Sequence, residues 1–387
     1  MEHGSAQSVM IVTGEASGDM HGANLVKEMC SLRPDLQLYG MGGKAMREAG
    51  VKILCDASAV SVVGVFEVFS QLSEILKAQK LLRSFLKKSR PSLLILIDLP
   101  DFNLLLAKYA KKLSIPVYYY ITPQIWAWRT GRVKTIASRV DQLGVILPFE
   151  EQFFRQHNVR ATYVGHPLLD SVKLTLDDEA FRKKYALASD ARCIGLFPGS
   201  RKKEIRMLLP TFLQSARLLQ EKISEKFCFL IPIASTLTKE DILAAGAAHY
   251  RDTLDLRFIE SDRYELMHSC ESVVATSGTV TLELAILKVP MVVCYKFAYL
   301  TYLLGKLLVR GVKRFSLPNL IAGKDIVAEL LQQQANPERI VAELSPLLKN
   351  GTSREKMLMG LEEVRDKLGS SGASRKAAQL AIAMLEQ

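Results

Sequence analysis

The sequence predicts an α/β protein made of two successive series of strand, loop and helix. Three observations carry that expectation. The chain has 387 residues, enough for two domains of ordinary size. Short apolar runs of strand length recur along it, each closed by Gly, Ser, Asp or Pro and followed by a helical pattern, which is the repeating unit of a doubly wound sheet. A polar, charged stretch, Thr175–Ser189, separates the two series and reads as a linker, with domains expected at 1–170 and 190–354.

Composition narrows the class. Hydrophobic residues make up 49% and charged residues 24%, which fits a globular chain and not a disordered one. A formal net charge of +11 calls for an anionic partner: nucleic acid, a phosphate-rich substrate or an anionic membrane. The sequence contains no RNP-like run, zinc finger or DNA-reading motif, so nucleic acid is not expected. Six cysteines, at 30, 55, 193, 228, 270 and 294, show no CxxC or Cys/His metal spacing and read as reduced thiols of a cytosolic protein without a metal. The first residues lack the basic start and long apolar core of a signal peptide. The most apolar long window, Val289–Val309, contains Pro290, Lys296, Gly305 and Lys306, so a strand followed by an amphipathic helix is expected there in place of a membrane span.

In the first series, Ser8–Thr13 is a strand, Thr13–Asp19 a glycine-containing loop and Met20–Leu32 a helix. The loop is neither GxGxxG nor a P-loop, and Glu15 and Asp19 would repel a phosphate. It reads either as a binder of sugar hydroxyls or an amine, or as a tight turn with a helix cap. After a second strand at Leu36–Tyr39, residues Val62, Val63, Val65, Phe66, Val68 and Phe69 are apolar on nearly every side of the helix they would form. An amphipathic stripe (Leu72, Ile75, Leu76, Leu82) and basic Lys77, Lys80, Arg83, Lys87, Lys88 and Arg90 follow. Such a helix is either buried or meets acyl chains at a bilayer surface. Leu93–Ile97 is a buried strand ending at Asp98, and ligands of open α/β sheets sit beyond strand carboxyl ends, so Asp98 suits general-base work. Asp101 reads as the cap of a helix over Phe102–Leu113. Strand Val117–Ile121 leads to Trp126 and Trp128, placed either to stack on a sugar or to pack. Strands at Asp141–Leu147 and Val159–Val164 close the series, and His166 in the exit loop reads as structural.

The second series opens with strand Cys193–Phe197. Gly199, Ser200 and Arg201 follow it, just before a helix through Leu219, where N–H groups and a guanidinium can meet a pyrophosphate; the bland alternative is a basic helix start facing water. Strands follow at Phe227–Pro232 and Leu256–Ile259. Val273 and Val274 end another strand, and Ser277, Gly278 and Thr279 then enter a helix whose free N–H groups and dipole favour an anion, with Glu283 one turn further in to accept from sugar hydroxyls. An ordinary capped helix fits the same residues. Met291–Tyr295 is the last clear strand, and Phe297–Val309 is an amphipathic helix flanked by Lys296, Lys306, Arg310, Lys313 and Arg314. Asn319 sits in an expected loop as a ligand donor or acceptor, and helical patterns at Pro337–Lys349 and Lys356–Leu385 end the chain.

Eight segments in order, TGEASGD (13–19), IDLPDFN (97–103), TPQIWAWR (122–129), LPFE (147–150), GHP (165–167), PGSR (198–201), SGTVTLE (277–283) and SLPNLIAG (316–323), together resemble the lipid-A-disaccharide synthases, membrane-associated glycosyltransferases of lipid A assembly. PGSR alone is shared more widely; IDLPDFN, the tryptophan pair and SLPNLIAG are specific. The resemblance implies a GT-B fold, two Rossmann-like domains with a cleft between them, in which the last helix, 355–387, returns to complete the first domain. It implies UDP-2,3-diacylglucosamine as donor, 2,3-diacylglucosamine 1-phosphate (lipid X) as acceptor, a β-1,6-linked disaccharide 1-phosphate and UDP as products, inversion at the anomeric carbon, and no metal or other cofactor.

On that resemblance Asp98 is the base and Glu15 orients the acceptor or supports developing charge. Gly199, Ser200, Arg201, Ser277, Gly278, Thr279, Glu283 and Asn319 are the expected donor site. Ser17, Val62, Val65, Phe66, Phe69, Trp126 and Trp128 are the expected acceptor and lipid contacts. The expected partners are the two substrates and an anionic phospholipid surface on the cytoplasmic face of the inner membrane, with homodimer formation left open. A UDP-sugar 2-epimerase of the same fold and a non-catalytic membrane-surface binding protein are the rival readings; transfer from the donor separates the first and UDP binding the second.

Overall fold

A computed structural model describes residues 7–57, 72–128, 130–234, 236–296 and 314–386. The expectations for Val62, Val65, Phe66 and Phe69, for Arg129, for the helix at 297–309 and for the side chain of Trp128 lie outside the described residues. The chain divides into two compact units: Met1–Asp170 with Ser370–Gln387, and Ser171–Gly369.

The first unit is built on a parallel sheet of β1 (Ser8–Val12), β2 (Gln37–Gly42), β3 (Lys52–Asp56), β4 (Leu93–Ile97), β5 (Val117–Tyr120), β6 (Gln142–Val145) and β7 (Ala161–Tyr163), in the order β3-β2-β1-β4-β5-β6-β7. Between the strands run α1 (Ala16–Leu32), α2 (Lys44–Glu48), α3 (Leu72–Ser89), α4 (Pro100–Lys112), α5 (Ile125–Trp128), α6 (Val133–Ala137) and α7 (Pro148–Arg155). Because helices cover both faces, central strands are apolar throughout: all of β4, LLILI, is buried. Alternate residues serve alternate cores. Met10, Val12 and Tyr119 pack with α3 and α4 residues on one face, while Val9, Ile11, Tyr118 and Tyr120 pack on the other with α1 and the last helix.

Asp19 shows how tightly the first unit is tied. Its buried carboxylate, in α1, accepts the N–H groups of Gly43 at 2.6 Å, Ala45 at 2.9 Å and Met46 at 3.2 Å. One helix thereby caps the start of another, α2, whose own N-cap is a glycine without a side chain. A Cβ on Gly40 would lie 1.8 Å from the carbonyl oxygen of Ile11, so only glycine lets β2 seat against β1.

After α8 (Leu168–Ser171), the second unit contains β8 (Arg192–Phe197), β9 (Phe227–Pro232), β10 (Asp255–Ile259), β11 (Ser272–Thr276), β12 (Met291–Tyr295) and β13 (Ala328–Leu331), parallel and ordered β10-β9-β8-β11-β12-β13. Its helices are α9 (Asp178–Lys184), α10 (Lys202–Lys222), α11 (Lys239–Ala244), α12 (Arg263–His268), α13 (Thr279–Ile286), α14 (Leu317–Ala322), α15 (Pro337–Leu344) and α16 (Thr352–Leu368); α17 (Ala373–Leu385) follows and belongs to the first unit.

Two boundaries differ from expectation. The stretch 175–189 is no free linker: it carries α9, capped by Asp177, and Thr175 and Leu176 donate to Glu265, so the second unit begins at Ser171 and not at 190. The terminal helix expected over 355–387 is two helices. Gly369 and Gly372, with φ of +75° and +101°, break it. The first piece, α16, buries Met357, Leu361, Val364 and Leu368, and Lys367 donates to the carbonyls of Ile321 and Ala322, which fixes it in the second unit. Only α17 completes the first, laying Ala377, Ala378 and Ala381 in the core that holds Tyr118 and Tyr120.

Among the described residues no helix is long and apolar enough to cross a membrane. Asp19→Ala strands three amide donors and is expected to lower the stability of the first unit by about 3 kcal/mol, read from urea denaturation followed by circular dichroism.

Candidate active site

In a doubly wound sheet, ligands bind beyond the strand carboxyl ends where the strand order reverses. In the first unit that point lies between β1 and β4, and in the second between β8 and β11. Glu15 directly precedes α1, just past β1, and Asp98 follows β4, so the two predicted acids flank the first switch point. Ser17 is exposed in the first turn of α1.

The turn carrying Asp98 is strained. Asp98 and Leu99 have φ of +50° and +48°, two consecutive non-glycine residues in the left-handed region, which Asp tolerates and Leu disfavours. Buried Asn103 holds the turn by donating its amide to the carbonyls of Ile97 at 3.2 Å and Asp98 at 2.7 Å, and the Tyr119 hydroxyl donates to Asp98 O at 2.5 Å. The loop after β1 rests on the same turn: a Cβ on Gly14 would meet Leu99 Cδ2 at 2.4 Å. The helix then starts at Pro100, without a side-chain cap. Asp101 is therefore not the cap expected of it; it is an exposed residue of the first turn and pairs with Arg132 at 2.5 Å. Burial, and after it the charge of Glu15, raises the pKa of Asp98 against the opposing N–H of Leu99. A carboxyl moved toward neutrality is a stronger base once ionised.

Trp126 donates its indole N–H to buried Glu150 at 3.0 Å and sets its ring edge-on to Phe149 at 4.8 Å. Of its two readings, packing is the one these contacts describe. Burial pushes Glu150 up to about 7, against the N–H groups of Leu147, Trp126 and Ile146. His166 accepts the N–H of Leu168 at 3.2 Å, and burial together with His21 pushes its pKa down to about 3, which fits the structural role read for it.

At the second switch point, Gly199 has φ of +120° and Arg201 forms the N-cap of α10. The Glu204 carboxylate lies in this loop. It accepts the N–H of Ser200 at 3.2 Å and pairs with the Arg201 guanidinium at 3.3 Å, and a Cβ on Gly199 would lie 2.3 Å from its Oε2. Sequence reading missed Glu204, although an acid at the third helical position, where it can reach back to the cap, was the available signal. On the other side, Ser277 donates its hydroxyl to Phe315 O at 3.2 Å, and Gly278 and Thr279 are exposed at the start of α13, where no side chain caps the helix. Its first N–H groups thus face outward, the arrangement that accepts an anion. Glu283, in the same helix, is buried and ion-paired with half-exposed Arg263; burial raises its pKa and Arg263 opposes the rise.

Asn319 departs from expectation. It lies within helix α14 and not in a loop, and it is buried. Its amide donates to Val327 O and Glu329 Oε1, both at 2.9 Å, and its carbonyl accepts from Ile326 at 2.8 Å and Val327 at 3.0 Å. All four of its bonding positions are used, so it is scaffold and not a ligand contact. Glu329, unmarked in the sequence reading, also accepts from the backbone of Phe315 and Ser316 and from the Ser316 hydroxyl, pinning the segment that Ser277 touches. Among the described residues no group of three or more His, Cys, Asp or Glu side chains is placed to hold a metal ion.

Known proteins resemble this chain over its full length. A model of the lipid-A-disaccharide synthetase family matches residues 9–384. The chain is 44% identical over 385 residues to the lipid-A-disaccharide synthase of Geobacter sulfurreducens, covering 100% of this chain and 99% of that protein. It is 45% identical over 382 residues to the one from Nitrosococcus oceani, with 99% and 97% covered. Among solved structures, the UDP-GlcNAc 2-epimerase of Neisseria meningitidis bound to UDP-GlcNAc superposes with a TM-score of 0.61 at 12% identity, covering 98% of this chain and 99% of that one. MurG of Acinetobacter baumannii superposes with a TM-score of 0.59 at 13% identity, with 98% and 99% covered. At such identities the two structures speak for the fold alone: two Rossmann-like α/β units of the GT-B kind.

Glu15→Gln removes the negative neighbour of Asp98. The Asp98 carboxyl is then expected to titrate at lower pH than in the parent, which carbon-13 NMR of labelled aspartate reads directly; an unchanged titration would separate the two acids.

Proposed function

The chain belongs to the lipid-A-disaccharide synthetase family and is a glycosyltransferase of lipid A biosynthesis, and from that premise we propose the course of its reaction. UDP-2,3-diacylglucosamine is the donor and 2,3-diacylglucosamine 1-phosphate the acceptor. Asp98 takes the proton of the acceptor 6-hydroxyl as that oxygen bonds to the anomeric carbon. The bond from that carbon to the UDP oxygen breaks on the opposite face, so configuration inverts and a β-1,6 linkage forms. The observation that carries the assignment is the Asp98 carboxyl itself, beside Glu15 at the switch point of the first sheet, with its proton affinity raised by burial. Glu15 keeps that affinity high and accepts from an acceptor hydroxyl.

UDP leaves with its negative charge on the phosphates. The Arg201 guanidinium, the N–H groups of Gly199 and Ser200, and those of Gly278 and Thr279 at the start of α13 receive it, with the Ser277 hydroxyl beside them, since the Ser277 N–H is already bonded to Cys294 O. Glu204 accepts from the Ser200 N–H and pairs with Arg201, and the phosphates compete with it for both donors. With cation and amide donors of this kind the proposed step uses no metal or other cofactor. Glu283 takes the ribose hydroxyls.

Both substrates carry acyl chains, and we place the enzyme peripherally on an anionic membrane, at the cytoplasmic face of the inner membrane. Support comes from the net charge of +11 and from α3, where Leu76 and Leu81 are 59% and 46% exposed beside exposed Lys77 and Lys80.

Asp98→Asn is expected to lower kcat by about 10²- to 10⁴-fold while UDP binds with unchanged Kd by calorimetry; ordinary turnover would remove Asp98 as base. Leu76→Ser with Leu81→Ser, both at exposed sites, is expected to cut flotation with phosphatidylglycerol vesicles several-fold at unchanged melting temperature, and full flotation would free α3 from that role.

A further inference from the structure

Glu283 poses a problem as a ligand for ribose. Its side chain is 4% exposed, and a carboxylate so buried favours its neutral form, which would no longer serve two hydroxyl donors as an acceptor. The only cation paired with it among the described residues is Arg263, which is 52% exposed. As a device for stability this pair is poor, since an apolar side chain would fill the same place without a desolvated charge. It is well arranged to keep an acceptor ready.

The arrangement is built from a different part of the second unit. Arg263 opens α12, past the carboxyl end of β10, while Glu283 lies one turn inside α13. The residue before it, Asp262, is in the left-handed region with φ of +54°. Lys184 at 2.5 Å and the Tyr185 hydroxyl at 2.9 Å hold that carboxylate from α9 and its end. This turn sets the direction in which α12 starts and so brings the guanidinium of Arg263 onto Glu283. Among the described residues, Tyr264, half-buried in the next position, is the other titratable group whose ionisation feels Glu283.

We infer that Arg263 is a positioning residue of the donor site, which holds the Glu283 carboxylate as a ready acceptor for the two ribose hydroxyls of a uridine nucleotide. The inference rests on the assignment of Glu283 to ribose. Because the Arg263 head is half in water, it can swing outward to admit the sugar and keep one N–H on the carboxylate. Burial is the largest influence on Glu283 and Arg263 the one that opposes it. Without Arg263 the pKa of Glu283 therefore rises further, and the acceptor form is lost on the acid side and regained as pH increases.

The test compares UDP with 2′-deoxy-UDP by calorimetry at pH 6.5 and 8.5. The parent protein is expected to prefer UDP by about tenfold at both pH values, the worth of a hydrogen bond to a charged group. Arg263→Met should lose most of that preference at pH 6.5 and recover it at pH 8.5, and Arg263→Lys should keep it at both. Glu283→Gln, fixed in a neutral form, should lose it at both. Melting temperatures confirm folding of each variant. If Arg263→Met keeps the full preference at pH 6.5 while Glu283→Gln loses it, Arg263 has no positioning role. If the parent shows no preference, the ribose assignment fails and the inference falls with it.

Discussion

The carboxamide of Asn103, buried in the first turn of α4, donates to two successive carbonyls at the end of β4, and the place of the proposed base depends on those two bonds. Consecutive left-handed residues cost roughly 1–3 kcal/mol each. A single buried hydrogen bond returns about 1 kcal/mol, so Asn103 and Tyr119 together offset a good part of the strain and the rest falls on packing. Released from that hold, Asp98 would relax toward an ordinary helix cap and leave Glu15. The second unit solves a similar problem with Asn319, which ties α14 to the loop before β13 while Glu329 ties the chain before α14. In both units a buried asparagine belongs to the frame of the site and not to its surface.

The carboxylates sort by what surrounds them. Asp19 is saturated by three backbone donors and does structural work. Asp98 and Glu283 are instead drawn toward protonation by burial, with a single charged neighbour setting how far: Glu15 raises the first and Arg263 lowers the second. Those opposite signs suit opposite tasks. A base must hold a proton for part of a reaction, whereas a ribose acceptor must stay ionised throughout.

Much of this was legible beforehand because parallel sheets write themselves plainly. Strands such as LLILI and VYYY are buried on both faces, and the residues at their carboxyl ends stand out by contrast. Two of the four edge strands lack that clarity: β3 has only half-buried or exposed residues, and β13 carries Glu329, so neither was foreseen, whereas the edges β7 and β10 were. The break between α16 and α17 hides inside a continuous helical pattern and is set by the φ of Gly369 and Gly372. Asn319 was misplaced for a different reason. A polar side chain in a small helix gives the same local signal whether it meets a ligand or satisfies a neighbouring loop, and only the partners decide. Arg263 was invisible because its partner is twenty positions away and the contact exists only once α12 and α13 pack.

The passage of the chain out of the first unit and back has a consequence for how the molecule is made. The core around Tyr118 and Tyr120 stays open until Ala377, Ala378 and Ala381 arrive, and the whole of the second unit lies between. Domains ordinarily fold in the order of their synthesis. Here the ribosome must emit residues 171–369 before the first unit can close, so the later unit can finish first. Until then α1 covers its share of that face of the first sheet, and the part that α17 will cover is exposed to chaperones and to its own neighbours on the polysome.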